Sequence, residues 1–478
     1  MWDLKQYSDN VAIINEAGDK LSYADLQVAT EKLAEQISAR CLVFCLCTNN
    51  VGSLLGYVTF INHNIVPVML DAQIDSQFFA KLTASYQPDY FWLPSERVAD
   101  FEDYQVVYSD CDYTLLKTSH TAAYALFSKL ALLLTTSGST GSPKLVRQSY
   151  DNIKSNMQAI TSYLEIDETE RSITTLPMNY TYGLSIINSH LCAGASLILT
   201  QQTIVQKNFW QQLKDFNATS FGGVPYTYEM LDRLRFYKLQ LPALRTMTQA
   251  GGKLLPALHE KIARYAKETG KRFYVMYGQT EATARMSYLP YEQSLDKYGS
   301  IGIAIPGGKL SILDEHGDVI ESTDMTGELM YEGQNVMLGY AEQGADLNKS
   351  DECAGKLLTG DMVKVDEDGY YWVVGRKKRF IKIYGNRLNL DEMEQLLKAQ
   401  FAPVDIACSG LDDKMYIFIC NDELSNVKIN TLLEKVKDYT VNKTQLNQSA
   451  FYMKAINCIP KNKSGKISYK DLEEYYDA

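Results

Sequence analysis

At 478 residues the chain is too long for one ordinary core, so two or three packed units are expected. Hydrophobic residues at 46% and charged residues at 22% are the balance of a soluble globular protein. A formal net charge of −11 argues against a nucleic-acid binder, which needs a basic face, but leaves room for a local basic cleft around a nucleotide. The start, Met1-Trp2-Asp3-Leu4-Lys5, lacks the basic and apolar regions of a signal peptide. No apolar run nears the roughly 18 residues of a membrane span, so a cytoplasmic protein without a membrane span is expected. None of the nine cysteines forms a C-x-x-C pair, and the five histidines are scattered. Cys41, Cys45 and Cys47, in or beside the apolar run Leu42 to Leu46, read as buried small residues rather than zinc ligands.

In chain order, Ser22 followed by Asp25 predicts a capped helix start, with Leu26, Ala29, Leu33 and Ile37 on one face. A strand is predicted at Leu42 to Leu46, a helix near Leu54 to Ile61 and a strand at Ile65 to Leu70. Strand-like runs recur at Ala131–Leu134, Ser196–Leu199, Leu244–Thr248 and Phe273–Met276, with helical patterns between them. This alternation predicts an α/β fold of mainly parallel sheets covered by helices. Ligands of such sheets bind in loops at the carboxyl ends of strands. From about Gly299 to residue 377, short strands and turns such as Asp366-Glu367-Asp368-Gly369 predict a β-rich subdomain of the large N-terminal domain, residues 1–377. Residues 378–478 read as a small α+β domain.

The run Ala131–Leu134 leads into Thr135-Thr136-Ser137-Gly138-Ser139-Thr140-Gly141-Ser142-Pro143-Lys144. Glycines let backbone N–H groups approach an anion, hydroxyls add donors, and Lys144 adds a mobile charge. That composition suits a triphosphate. It is not a Walker loop, because Pro143 stands where the second glycine would fall. Taken alone, such a stretch is also an ordinary flexible turn; its place after an apolar strand favours the phosphate.

At this loop the chain resembles the adenylate-forming superfamily: acyl-CoA synthetases, stand-alone and carrier-linked adenylation domains, and luciferase-like enzymes. The resemblance continues in the family's order through Tyr277-Gly278-Gln279-Thr280-Glu281, Thr359-Gly360-Asp361, Gly375-Arg376, Ile381 to Arg387, and Pro460-Lys461-Asn462-Lys463-Ser464-Gly465-Lys466-Ile467. Weaker similarity begins at Ser22-Tyr23-Ala24-Asp25-Leu26. It implies that Thr136 to Gly141 and Lys144 hold phosphates, and that Tyr277, beside Gly278 and Gln279, stacks on adenine. Thr280 would meet the α-phosphate and Glu281 would hold Mg²⁺, a hard carboxylate oxygen suiting that ion. Gly251-Gly252 resembles the stretch beside the adenine and acyl pocket, though a plain turn into a helix near Leu254 also fits. Asp361 would accept from both ribose hydroxyls, as a carboxylate can, with Arg376 nearby. Lys378 matches the hinge of a small mobile C-terminal domain. Lys382 and Gly385 match the segment along which a pantetheine arm passes. Lys466 matches the lysine that bridges substrate carboxylate and α-phosphate in the first half-reaction.

The implied activity is conversion of a carboxylic acid and ATP to an acyl-AMP, then transfer to coenzyme A or to phosphopantetheine on a separate acyl carrier protein. An adenylate-to-amine ligase and a non-catalytic nucleotide-binding regulator are rival readings. The chain departs from the family at Tyr150 and Tyr180, where many members carry histidine. The acyl-site stretch Tyr180-Thr181-Tyr182-Gly183-Leu184-Ser185 holds no Asp or Glu to pair with an α-ammonium. Tyr180, Tyr182 and Gly183 are therefore expected to read an apolar acyl or aryl group with a hydrogen-bonding substituent, Gly183 giving it room beside the backbone. The alternative is that these residues only pack the helix following Pro177.

Overall fold

The computed structural model describes residues 1–101, 103–120, 124–135, 144–323, 325–420, 426–461 and 466–476. The first long helix, Tyr23–Ala34, starts with the expected capping box. The Asp25 N–H donates to Ser22 Oγ, and the Asp25 carboxylate accepts from the Ser22 N–H. Leu26 and Leu33 are buried on its inner face, and Ile37 is buried beyond its end.

The chain divides into two compact units. The first comprises Met1–Leu310 and Tyr331–Leu357, the second Ser311–Met330 and Leu358–Ala478. The division falls within three strands, Lys309–Leu313, Gly327–Glu332 and Lys356–Val365. Lys378 lies inside the second unit.

In the first unit, the apolar runs become strands of two large sheets. In the eight-stranded sheet, the order is Gly339–Ala341, Leu145–Ser149, Leu130–Thr135, Val66–Asp71, Leu42–Cys47, Tyr90–Pro94, Tyr113–Lys117 and Gln105–Asp110. Its centre is parallel and both flanks are antiparallel. Leu42–Cys47 is buried throughout, as a strand covered on both faces must be, and its cysteines are free thiols.

The nine-stranded sheet runs Ile303–Ala304, Ser287–Leu289, Arg272–Tyr277, Thr246–Gln249, Ser220–Gly223, Arg171–Ile173, Ser196–Ile198, Val11–Ile14 and Lys20–Ser22. The strands from Arg272–Tyr277 across to Val11–Ile14 are parallel. One apolar core joins Val43 and Cys45 of the first sheet, Ile13 and Leu197 of the second, and Leu54, Tyr57, Ile153 and Leu184 from helices. Helices therefore fill the space between two sheets, and the expected α/β architecture is the observed one.

The second unit is the β-rich and α+β part. Residues 311–313, 327–330 and 358–365 join Tyr371–Arg376 in a four-stranded sheet. A hairpin pairs Phe380–Ile383 with Asn386–Asn389. A three-stranded sheet of Ile406–Leu411, Lys414–Cys420 and Phe451–Ile456 packs with the helices Leu390–Gln400 and Asn426–Thr444 around Ile406, Ile417, Ile419, Leu397 and Val436. Among the described residues, no helix is long and apolar enough to cross a membrane.

Candidate active site

The strand Arg272–Tyr277 brings its apolar core residues, Phe273 to Met276, into the sheet and releases Tyr277 half-buried at its carboxyl end. The chain then folds back sharply. A Cβ on Gly278 would lie 1.6 Å from the Ala284 carbonyl oxygen, so only glycine permits the fold. A short turn, Thr280–Ala282, follows, and Thr283 closes it in the left-handed region at φ 55°. Gln279 Nε2 donates to Tyr277 Oη at 3.4 Å, and buried Gln148 donates to the Thr280 carbonyl at 3.0 Å.

Glu281 leaves this turn half-buried. Its Oε1 accepts from Tyr340 Oη at 2.9 Å, and its backbone carbonyl accepts from the Met337 N–H at 2.8 Å. Lys144 Nζ stands 3.4 Å from the centroid of the Tyr340 ring. A carboxylate, a phenol and an ammonium from three separate stretches of chain therefore meet at one point. Burial, and then the Glu281 charge, push the Tyr340 hydroxyl well above its ordinary pKa, so it stays a donor. Lys144 has no carboxylate within ion-pair distance among the described residues.

Tyr340 was not foreseen, and Arg147 holds it in place. The Arg147 guanidinium is fully buried and donates to the carbonyls of Leu338 at 3.1 Å and Tyr340 at 3.2 Å, to Lys349 and Ser350, and to Glu352. Strand pairing of Tyr340 with Val146 completes the attachment. The signal available in the sequence was Leu338-Gly339-Tyr340. Gly339, at φ 128°, leaves space that Arg147 Nη2 and Glu352 would otherwise lose.

The acyl-site stretch caps and begins the helix Thr181–Cys192. Tyr180 Oη reaches Gly251, where a Cβ would lie 2.5 Å from it; Gly251 adopts φ 84°. Neighbouring Gly252 is exposed, and its carbonyl accepts from Gln249 Nε2. Tyr182 is buried and its hydroxyl shares a 2.8 Å hydrogen bond with Thr248 Oγ1; burial pushes that phenol up to about 12. Gly183 is required for packing. A Cβ there would lie 2.3 Å from the Pro177 carbonyl oxygen, so it lets the helix approach its own preceding loop.

Packed against Ser185 of this helix lies Arg285, which the sequence reading also missed. It is 1% exposed. Its Nε donates to Ser185 Oγ at 3.2 Å and its Nη1 to Tyr163 Oη at 3.1 Å, while Met276 Sδ lies 3.2 Å from Nη1. The guanidinium carbon is 5.1 Å from the Tyr182 ring centroid.

The remaining expected residues belong to the second unit. Asp361, 2% exposed, faces Arg376 across paired strands and accepts from its Nε at 2.7 Å. Lys378 is exposed in the turn Lys377–Arg379, and Lys382 is exposed on the hairpin. Tyr384 and Gly385 form its tip at φ 50° and 86°, and nothing lies within 4 Å of the Gly385 Cβ position. Lys466 is half-buried beside the antiparallel bridge Lys461↔Ile467. Three residues later, Tyr469 stacks on Arg379, whose guanidinium lies 3.6 Å from the ring centroid. Arg379 also pairs with Asp391 and, at 3.5 Å, Glu394. The expected phosphate residues Thr136, Ser137, Gly138, Ser139, Thr140 and Gly141 lie outside the described residues.

No group of three or more His, Cys, Asp or Glu side chains gathers to hold a metal among the described residues. Glu281 is instead a single half-buried carboxylate, and a single carboxylate completed by phosphate oxygens is a donor set that suits Mg²⁺.

The two sheets with their intervening helices, and the smaller β-rich unit, are the fold of adenylate-forming enzymes. An O-succinylbenzoate coenzyme A synthetase from Bacillus subtilis, solved with AMP, superimposes with a TM-score of 0.80 at 21% identity, over 99% of this chain and 98% of that one. The same enzyme has been solved with ATP and magnesium ion. The AMP-binding enzyme family model matches residues 2–341, and the chain belongs to that family. An oxalate–CoA ligase of Arabidopsis thaliana is 29% identical over 356 residues, 72% of this chain and 67% of that protein. A peroxisomal OPC-8:0-CoA ligase 1 of the same plant is 29% identical over 72% of this chain and 63% of its own length.

Proposed function

We propose that the protein is an AMP-forming acid–thiol ligase that joins a carboxylic acid to a pantetheine thiol through an acyl-AMP. The observation that carries this reading is the meeting of Glu281, Tyr340 and Lys144 at the carboxyl end of the strand that presents Tyr277, where an α/β sheet binds nucleotides. A carboxylate is a poor electrophile, because its leaving group would be oxide. Its attack on the α-phosphorus of ATP creates a mixed anhydride, expels pyrophosphate and makes AMP the later leaving group. Lys144 offsets phosphate charge, Tyr277 offers its ring to the adenine and Thr280 lies beside the α-phosphate. Mg²⁺ held by Glu281 would neutralise phosphate oxygens.

In the second unit, Asp361 and Arg376 are assigned to the ribose and Lys466 to the crowded charge of the first half-reaction. Lys378 is the proposed hinge, and the open surface at Gly385 is the proposed passage for the pantetheine arm. The acceptor is coenzyme A or a carrier-bound phosphopantetheine. The nine free thiols fit a reducing, cytoplasmic setting.

The test is ATP–pyrophosphate exchange with a panel of carboxylic acids, followed by AMP release with coenzyme A or a pantetheinylated carrier protein. Exchange that depends on the acid, and AMP release that depends on a thiol, are expected. Release with the carrier alone assigns the carrier as acceptor. Absence of acid-dependent exchange across the panel overturns the proposal.

A further inference from the structure

Beyond Tyr182, the face of the pocket helix continues as Ile186, Ser189 and His190, at helical spacing over two turns. With Ser220, Thr248 and Arg285 these residues line a cavity of about 20 Å³, space for one water-sized group. Its wall holds polar atoms that nothing satisfies. His190 Nδ1 is bonded to the Ile186 carbonyl at 2.8 Å, whereas His190 Nε2 and Ser220 Oγ have no partner, although both are buried. Arg285 has no carboxylate within ion-pair distance among the described residues. Glu170, the carboxylate that lines the cavity, is engaged by Arg245 at 3.3 Å, Arg272 at 3.6 Å and Thr219.

A buried guanidinium held only by hydroxyls, a thioether and a ring is expensive to keep unless something else completes it. Polar groups left unsatisfied around one small space call for an occupant with oxygen. The well adjoins Tyr182, because Thr248, which lines it, is bonded to the Tyr182 hydroxyl. Gly222, also in its wall, lets Ile186 and Tyr182 close in, since a Cβ there would lie 2.8 Å from Ile186 Cδ1 and 2.9 Å from Tyr182 Oη.

We propose that the acyl pocket ends in this polar, cationic well, and that the protein selects carboxylic acids whose far end places one oxygen there, that of a hydroxyl or one of the two oxygens of a second carboxylate. The proposal rests on the acid lying along the helix from Tyr180 and Tyr182, as the proposed function places it. Arg285 and Ser220 donate to the terminal oxygen. A hydroxyl can also donate to His190 Nε2, and a carboxylate supplies the missing counter-charge. A terminal ammonium is repelled.

The experiment uses the whole protein and acids of one chain length ending in methyl, hydroxyl, carboxylate or ammonium. Binding is measured by calorimetry in the presence of a non-hydrolysable ATP analogue, and exchange kinetics are measured separately. Hydroxyl or carboxylate ends are expected to bind at least about tenfold more tightly than the methyl end, and which of the two leads identifies the end group. Arg285→Met should remove most of that preference, leaving methyl-ended acids within about twofold. Equal or better binding of the methyl or ammonium ends by the wild type overturns the proposal, because the well then holds water only. That result comes from the wild type, so a variant that fails to fold does not decide the matter. Loss of exchange with selective binding intact tells against the proposed ligase activity and leaves the well standing.

Discussion

Two sets of cations, one from each unit, are neutralised in opposite ways. In the first unit, Lys144 sits on a tyrosine ring and Arg285 on hydroxyls, and neither meets a carboxylate among the described residues. In the second, Arg376 is already paired with Asp361, and Arg379 with Asp391 and Glu394. Unpaired positive charge lies where anionic substrates are proposed to arrive, whereas Arg379, like Arg147 of the first unit, is paired where chain geometry has to be kept, and Arg376 is paired with the carboxylate proposed to share the ribose. A charged residue's role is therefore better read from what neutralises it than from its exposure.

The sharpest way to break this contrast is Arg379→Met. It strands Glu394 with one remaining cation, Lys398, and removes the support under Tyr469. A loss of about 3 kcal/mol is expected, the low end for removing one partner of a buried pair. Chemical denaturation should place the loss in the second unit. A change below about 0.5 kcal/mol would mean the network contributes little.

Lys466→Ala is the matching test of function. Acyl-AMP formation should fall by roughly a hundredfold or more, while thiol attack on supplied acyl-AMP is much less affected. Equal loss in both half-reactions would remove Lys466 from its assigned role.

A pH titration separates burial from pairing. His259 Nδ1 accepts from the Gly299 N–H at 3.0 Å, and its Nε2 is 3.0 Å from Ser294 Oγ. Burial lowers its pKa from 6.5 to about 4. The folded state then binds the proton less readily than the unfolded chain. Stability should be full above pH 6.5 and decline as pH falls toward 4, by up to about 3 kcal/mol. In His259→Gln the acid limb of the stability curve should flatten; an unchanged slope would assign the loss to other groups.

The smallest expected effect is at the unit-one cluster. Tyr340→Phe keeps the ring under Lys144 but removes the hydrogen bond to Glu281. The Mg²⁺ concentration needed for half-maximal exchange should rise about tenfold or less, the scale of one hydrogen bond to a charged group. An unchanged requirement would detach Tyr340 from the proposed metal role of Glu281.

Much of this was legible beforehand. The strands expected at Leu42 to Leu46, Ala131–Leu134 and Phe273–Met276 are present within a residue or two at each end, because continuous apolar runs leave few alternatives. The antiparallel flanks, such as Gln105–Asp110 with Tyr113–Lys117, were not read, since the first of these is half exposed and its apolar run is only Val106-Val107-Tyr108. Tyr277 and Glu281 were singled out through their motif. Arg147, Arg285 and Tyr340 were not. A lone arginine among mixed residues reads as surface, and only packing reveals that Arg147 and Arg285 lie at 0% and 1% exposure. The contact of Gly183 with the Pro177 carbonyl was not legible, because a motif fixes where a glycine sits, not which neighbour needs its missing side chain.

The strand register also sets a timetable for synthesis. Val11–Ile14 pairs in parallel with Ser196–Ile198, and Leu145–Ser149 pairs antiparallel with Gly339–Ala341. At a ribosomal rate of about 5–20 residues per second, each earlier strand waits on the order of ten to forty seconds for its partner to emerge. During that interval the unpaired edge of Val11–Ile14 is open to the same strand of a neighbouring nascent chain. Codon choice between positions 15 and 195 therefore acts on yield, and slowing translation there should favour aggregation on crowded polysomes without altering any finished molecule.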